Sequence, residues 1–160
     1  MRKRRPAKTV PKPGEGKRGE SGYLGYLLMQ AGAANRHRME RAMADIGITP
    51  PQFLVLTMVR AYPGLSNADL ARLCVLTPQT VNVVVANLER DGAVVRRQHA
   101  DHGRIRQIEL TPAGEAMLAK CRPKARAIDR QLLDGLSAQD ERAIRRWLVG
   151  IAKAGDMDDG

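Results

Sequence analysis

Residues 65–92 read LSNADLARLCVLTPQTVNVVVANLERDG, and they hold two helices that each carry a start signal. Ser66 can accept a hydrogen bond from the free N–H groups of a first turn, and Asp69 places an acid at the positive helix end. Leu70, Leu73 and Cys74 then line one face. After a tight connection through Val75 and Leu76, Thr77 followed by Pro78 forms a second N-cap with proline at the first helical position, where its missing N–H costs nothing. Val81, Val84, Val85 and Leu88 recur at i, i+3, i+4 and i+7. They make one buried stripe and leave Gln79, Thr80, Asn82, Val83 and Asn87 off the core. Asp91-Gly92 ends the helix.

Downstream, Ala93 to Gln98 and Arg104 to Leu110 read as two short strands, joined by a polar turn that contains Gly103. Two helices and then a hairpin is the order of a winged helix-turn-helix. A helix with short polar groups near its N-terminus fits a major groove about 12 Å wide, where Gln and Asn can pair bidentately with adenine. An arginine at a hairpin tip suits the narrower minor groove. Helix-turn-helix geometry also occurs in domains that bind proteins, and a helical apolar stripe by itself denotes only a core.

The chain resembles the MarR-type (multiple-antibiotic-resistance regulator) winged-helix family from Tyr23 to Ala154. The resemblance is carried by Thr49-Pro-Pro-Gln52-Phe53 before Leu56, by Leu65 with Ala68-Asp-Leu70-Ala71 and Leu76, and by Thr80-Val81 with Asn87-Leu88-Glu89-Arg90-Asp91-Gly92. Gly103-Arg104 and Leu110-Thr111-Pro-Ala-Gly114 complete it. It implies a two-fold symmetric dimer that represses or activates genes, with Thr77, Gln79, Thr80, Asn82 and Val83 on the recognition helix and Arg104 as the wing arginine. One feature departs from the pattern. Many relatives read Asp-x-Arg at the wing, whereas Asp101-His-Gly-Arg104 is one residue longer, so Asp101 is not carried over as a brace for the arginine. The full DNA-binding set expected is Ser66, Thr77, Pro78, Gln79, Thr80, Asn82, Val83, Asn87, His102, Gly103, Arg104 and Arg106.

At 160 residues the chain is long enough for one domain with an aliphatic core, since aromatics are only 3%. The net charge of +10 points to a polyanionic partner, and its distribution is uneven. Residues 1–20 hold eight Lys/Arg against two Glu, leaving 19 basic and 15 acidic side chains in residues 21–160. With so few apolar groups, residues 1–20 are expected to form a disordered basic tail. Arg2, Lys3, Arg4 and Arg5 could then reach phosphates or the minor groove, or the tail could serve solubility alone. No apolar run of about 18 residues occurs, and the basic start lacks the apolar stretch of a signal peptide. A cytoplasmic protein is expected.

Residues 21–160 thus read as a single, mainly α (α+β) regulator domain, with the DNA-binding module at about 49–111 and dimerisation helices at about 22–46 and 111–154. The Thr49-x-x-Gln52 box opens a helix toward Arg60, Thr111-Pro112 opens a long one, and Ser137 opens the last. Leu24, Leu27 and Leu28, with Ile144, Trp147, Leu148 and Ile151, form apolar stripes that need a partner surface, so a homodimer is expected. In the resembled family a small, often phenolic or anionic compound binds between the dimer helices and the winged module. Arg36, His37, Met39 and Tyr62 are the candidate effector residues.

Cys74 and Cys121 could make a redox-responsive regulator, but Cys74 falls on an apolar face and redox members of the family carry their cysteine elsewhere; both are expected to be free structural thiols. His99, Asp101 and His102 on one turn lack a fixed fourth ligand, so no metal and no cofactor are expected. No Ser-His-Asp order, phosphate loop or apolar carboxylate pair suggests an enzyme. The reading is a ligand-responsive regulator that binds a palindromic operator as a homodimer. The alternatives are a winged-helix protein with a non-specific DNA-binding or protein-interaction role, and a redox-responsive regulator.

Overall fold

Each helix of the central module begins where a capping side chain stands. The computed structural model describes residues 10–98 and 106–157. Its principal elements are α1 (Leu24–Met43), α2 (Pro50–Ala61), α3 (Asn67–Cys74), α4 (Pro78–Arg90), β1 (Val94–Gln98), β2 (Arg106–Leu110), α5 (Pro112–Leu132) and α6 (Ala138–Met157). Thr49 opens α2: its N–H donates to Gln52 Oε1 at 2.9 Å, and the Gln52 N–H donates back to Thr49 Oγ1 at 3.4 Å. Ser66 and Asp69 form the same reciprocal box at α3, and Ser137 and Asp140 bond in the same way ahead of α6.

The core sits where α2, α3 and α4 meet the sheet and the first half of α5. Val55, Leu56, Leu70, Val81, Val85, Leu88, Ile108 and Leu118 are all buried there, without an aromatic ring among them. The predicted stripe of α4 is its inward face, with Val81, Val84, Val85 and Leu88 between 0% and 7% exposed. Such a stripe holds the opposite face of the helix toward solvent.

β1 and β2 pair antiparallel, from Val94 opposite Leu110 to Gln98 opposite Arg106. β1 begins one residue later than the sequence suggests, and residues 99–105 between the strands lie outside the described residues. On its other edge β2 has one backbone partner that the sequence does not announce, because the Ile108 N–H donates to Leu65 O at 2.9 Å. The strand is thereby fastened to the residue that leads into α3.

The junction of sheet and α5 is closely fitted. The Thr111 hydroxyl donates to Gly92 O at 2.6 Å, the Thr111 N–H donates to Ala93 O at 3.1 Å, and the Gly114 N–H donates to Thr111 Oγ1 at 3.1 Å. A Cβ on Gly114 would stand 2.0 Å from Ala93 O, so only glycine lets the helix approach this closely. An ion pair of Arg60 on α2 with Glu115 at 2.8 Å braces the module against α5, and one of Lys124 on α5 with Asp45 at 2.9 Å ties the two flanks to each other.

Residues 10–20 differ from the expectation of a structureless tail. The Lys12 N–H donates to Glu15 Oε2 at 2.8 Å, and the Arg18 guanidinium donates to Pro11 O at 2.8 Å and to Gln30 Oε1 on α1 at 3.1 Å. Polar side chains bond locally here without adding a buried residue to the core. Residues 1–9 lie outside the described residues.

Candidate nucleic-acid interface

The exposed side of α4 is built from its cap upward. Thr77 Oγ1 accepts the Thr80 N–H at 3.1 Å, and the two threonine hydroxyls lie 2.8 Å apart. With Val81 and Val85 fully buried beneath, Pro78, Gln79, Thr80 and Asn82 are exposed, and Val83 is 56% exposed. These residues form one polar face with a methyl-bearing side chain at its edge, which can pair with base edges and pack on a thymine methyl. Asn87 is half-buried at the far end of the helix.

Ser66 serves the site through its helix. Its hydroxyl donates to Asp69 Oδ2 at 2.6 Å and accepts the Asp69 N–H at 3.2 Å, which fixes the start of α3 behind α4. Those bonds, first the Ser66 hydroxyl and then its backbone N–H, hold the Asp69 carboxyl below the usual carboxylate range, aided by Arg72. Asn67 is a residue that the sequence reading missed. Its Nδ2 donates to Asn82 Oδ1 at 2.6 Å, tying α3 to the exposed face of α4. No sequence pattern links two asparagines 15 residues apart in this way.

Several arginines of the module have acidic neighbours. Arg96 lies 3.3 Å from Glu89 and Arg97 lies 2.7 Å from Glu109, while Arg72 pairs with Asp69. Arg106 is exposed at the start of β2, opposite Gln98. The expected wing residues His102, Gly103 and Arg104 lie outside the described residues, as do His99 and Asp101.

Comparison with known proteins settles the kinship of this arrangement. The family model described as MarR family matches residues 46–105, which take in α2 to β1. The HTH-type transcriptional repressor Rv2887 of Mycobacterium tuberculosis is 39% identical over 125 residues, covering 78% of this chain and 90% of the repressor. The chain belongs to the MarR family. A crystal structure of the Rv2887 MarR family protein in complex with DNA matches with a TM-score of 0.66 at 36% identity, covering 82% of this chain and 98% of that one. Its complex with salicylic acid matches with a TM-score of 0.66 at 37% identity, over 82% and 98% of the two chains.

The other residues singled out in this MarR-family chain lie apart from α4. Leu24 is 68% exposed and Leu28 39%, Leu27 is half-buried, and Ile144, Trp147, Leu148 and Ile151 on α6 are all exposed by 41–44%. Together with Leu132 and Leu136, several of them line an open apolar groove of about 370 Å³ between α1, α5 and α6. Of the four candidate effector residues, Met39 lines a groove of about 320 Å³ between α1 and α5, with Asn35, Arg126, Ile128 and Asp129. Arg36 and His37 are exposed on α1 and line none of these grooves, and Tyr62 caps the distant end of α2 at 54% exposure. The structure does not gather the four into one site.

Cys74 and Cys121 are free and buried, and burial pushes both thiols up from their usual range. A thiol held protonated out of solvent is a poor nucleophile, so neither cysteine is poised for oxidation. Among the described residues no cluster of three or more His, Cys, Asp or Glu could hold a metal ion, and no single helix is long and apolar enough to cross a membrane.

Proposed function

We propose that this protein is a ligand-responsive transcriptional regulator that binds a palindromic operator as a homodimer. The observation that carries the reading is the exposed polar face of α4, rigidly capped by Thr77 and seated on a fully buried valine stripe, in a chain of the MarR family. Gln79, Thr80, Asn82 and Val83 would meet base edges in the major groove, and Arg104 and Arg106 would reach the neighbouring minor groove. In a two-fold dimer the two α4 helices would enter successive major grooves about 34 Å apart, which calls for a near-palindrome of that spacing.

The dimer reading rests on the apolar stripe of α6 and the groove beside it. The effector reading rests on kinship with a protein crystallised with salicylic acid, and on the groove that Met39 lines. Asn35 and Asp129 line that groove, and Arg126 supplies a cation suited to the carboxylate of a small acid.

Fluorescence anisotropy at physiological salt tests the reading, comparing the duplex upstream of the protein's own gene with a shuffled duplex. A preference of roughly a thousandfold or more supports a specific regulator. Equal, salt-sensitive binding to both duplexes would overturn it in favour of a non-specific role. Salicylic acid titrated into the specific complex is expected to release the DNA.

A further inference from the structure

An asparagine carboxamide holds one carbonyl acceptor and one NH2 group with two donors, and bidentate recognition of adenine uses both ends at once. In this structure one end of Asn82 is already engaged within the protein. Its Oδ1 accepts from Asn67 Nδ2 at 2.6 Å, so the carbonyl is directed at α3. Because the carboxamide is planar, its NH2 lies on the other side of the group, on the exposed face of α4.

The orientation of the pair has a physical reason. Asn67 Oδ1 is buried without a partner. Turning both carboxamides over would bury the Asn67 NH2 there instead, and an orphaned donor is rarer in folded proteins than an under-satisfied carbonyl. The observed arrangement leaves Asn67 as the donor and Asn82 as the acceptor between the helices.

We propose that Asn67 is a specificity-determining residue: by holding the carbonyl of Asn82 toward α3 it presents the Asn82 NH2 to DNA as the leading group. In the major groove a donor reads guanine N7 and O6, adenine N7 or thymine O4, and finds no acceptor on cytosine. The bidentate adenine pairing that an asparagine at this position suggests is disfavoured while the Asn67 bond stands. The operator therefore disfavours cytosine at the position facing Asn82 in each half-site, and Asn67 sets that bias without touching a base. The inference rests on the DNA-binding reading above.

Selection of bound duplexes from a randomised pool, followed by sequencing, tests it with the full chain, Asn67→Asp and Asn67→Ala. An aspartate accepts but does not donate, so it draws the Asn82 NH2 inward and turns the carbonyl out. Asn67→Asp is expected to raise the selection of cytosine at one position of each half-site by on the order of tenfold. Asn67→Ala frees the carboxamide and is expected to flatten the preference at that same position, with a melting temperature no lower than the native chain because a buried unpartnered carbonyl is removed. If Asn67→Asp binds no DNA, Asn67→Ala decides. Selection of the same bases by Asn67→Ala and the native chain at every position would overturn the inference while leaving the regulator reading intact. A native chain that selects no motif would overturn both.

Discussion

Val75, in the turn between α3 and α4, has φ 51° and ψ 46°, the left-handed conformation that a β-branched residue rarely adopts. It holds this strained geometry while its N–H donates to Arg72 O at 3.3 Å, and its side chain is 90% exposed and packs on nothing that would offset the cost. Val75→Gly should therefore stabilise the protein by about 0.5–1 kcal/mol, since glycine removes a conformational cost of roughly 1–2 kcal/mol and gives part of it back as chain entropy. Denaturant unfolding measures this, and lower stability in the variant would mean that the side chain has a role in the turn. At the same scale, the Asp69 carboxyl sits below its usual 3.8 because of its Ser66 bonds. Its contribution to folding is thus complete above about pH 4 and lost as pH falls through its lowered value. Carboxyl NMR titration should show Asp69 ionising below that usual value, and Ser66→Ala should raise it back. Ser66, Asp69 and Thr77 are legible in the sequence because caps are local chemistry. Asn67 is not, because its bond to Asn82 exists only once two helices have packed.

Between elements the tightest fit is that of α5 against the end of β1. Gly114→Ala places a methyl group 2.0 Å from Ala93 O, so backbone must move and stability should fall by about 1–3 kcal/mol or more, read as a lower midpoint in thermal unfolding. An unchanged midpoint would show that α5 can slide away from the sheet at little cost. The Thr111-Pro112 start of α5 is written in the sequence, yet the reason for glycine three residues later is not, because the atom it avoids belongs to the residue that leads into β1, 21 residues upstream. The helix order, the hairpin and the inward face of α4 are all readable from periodicity. The bond from Ile108 to Leu65 escapes such a reading, since a single bridge leaves no alternation of apolar residues behind. For the wing, Arg104→Ala should weaken operator binding by roughly 1–3 kcal/mol per half-site, and retention of full affinity in an anisotropy titration would mean that the longer wing turn anchors differently.

At the scale of the molecule, none of the described α6 side chains is buried, although Ile144, Trp147, Leu148 and Ile151 share one face. In the proposed dimer a second chain covers that face. Ile144→Asp together with Trp147→Asp should yield a monomer by light scattering, with the fold of α2 to α4 retained by circular dichroism. A double variant that remains dimeric would place the interface elsewhere. That four apolar residues recur on one face is legible from sequence. That the chain leaves them uncovered is not, because cover depends on where the remaining helices come to lie. This bare face also sets how the protein responds to its own abundance. When chains are scarce and mostly apart, the concentration of assembled pairs rises with the square of the chain concentration, so halving that concentration would cut the paired form to about a quarter. Regulation by this protein would then respond steeply to its own concentration, through the grip of one amphipathic helix.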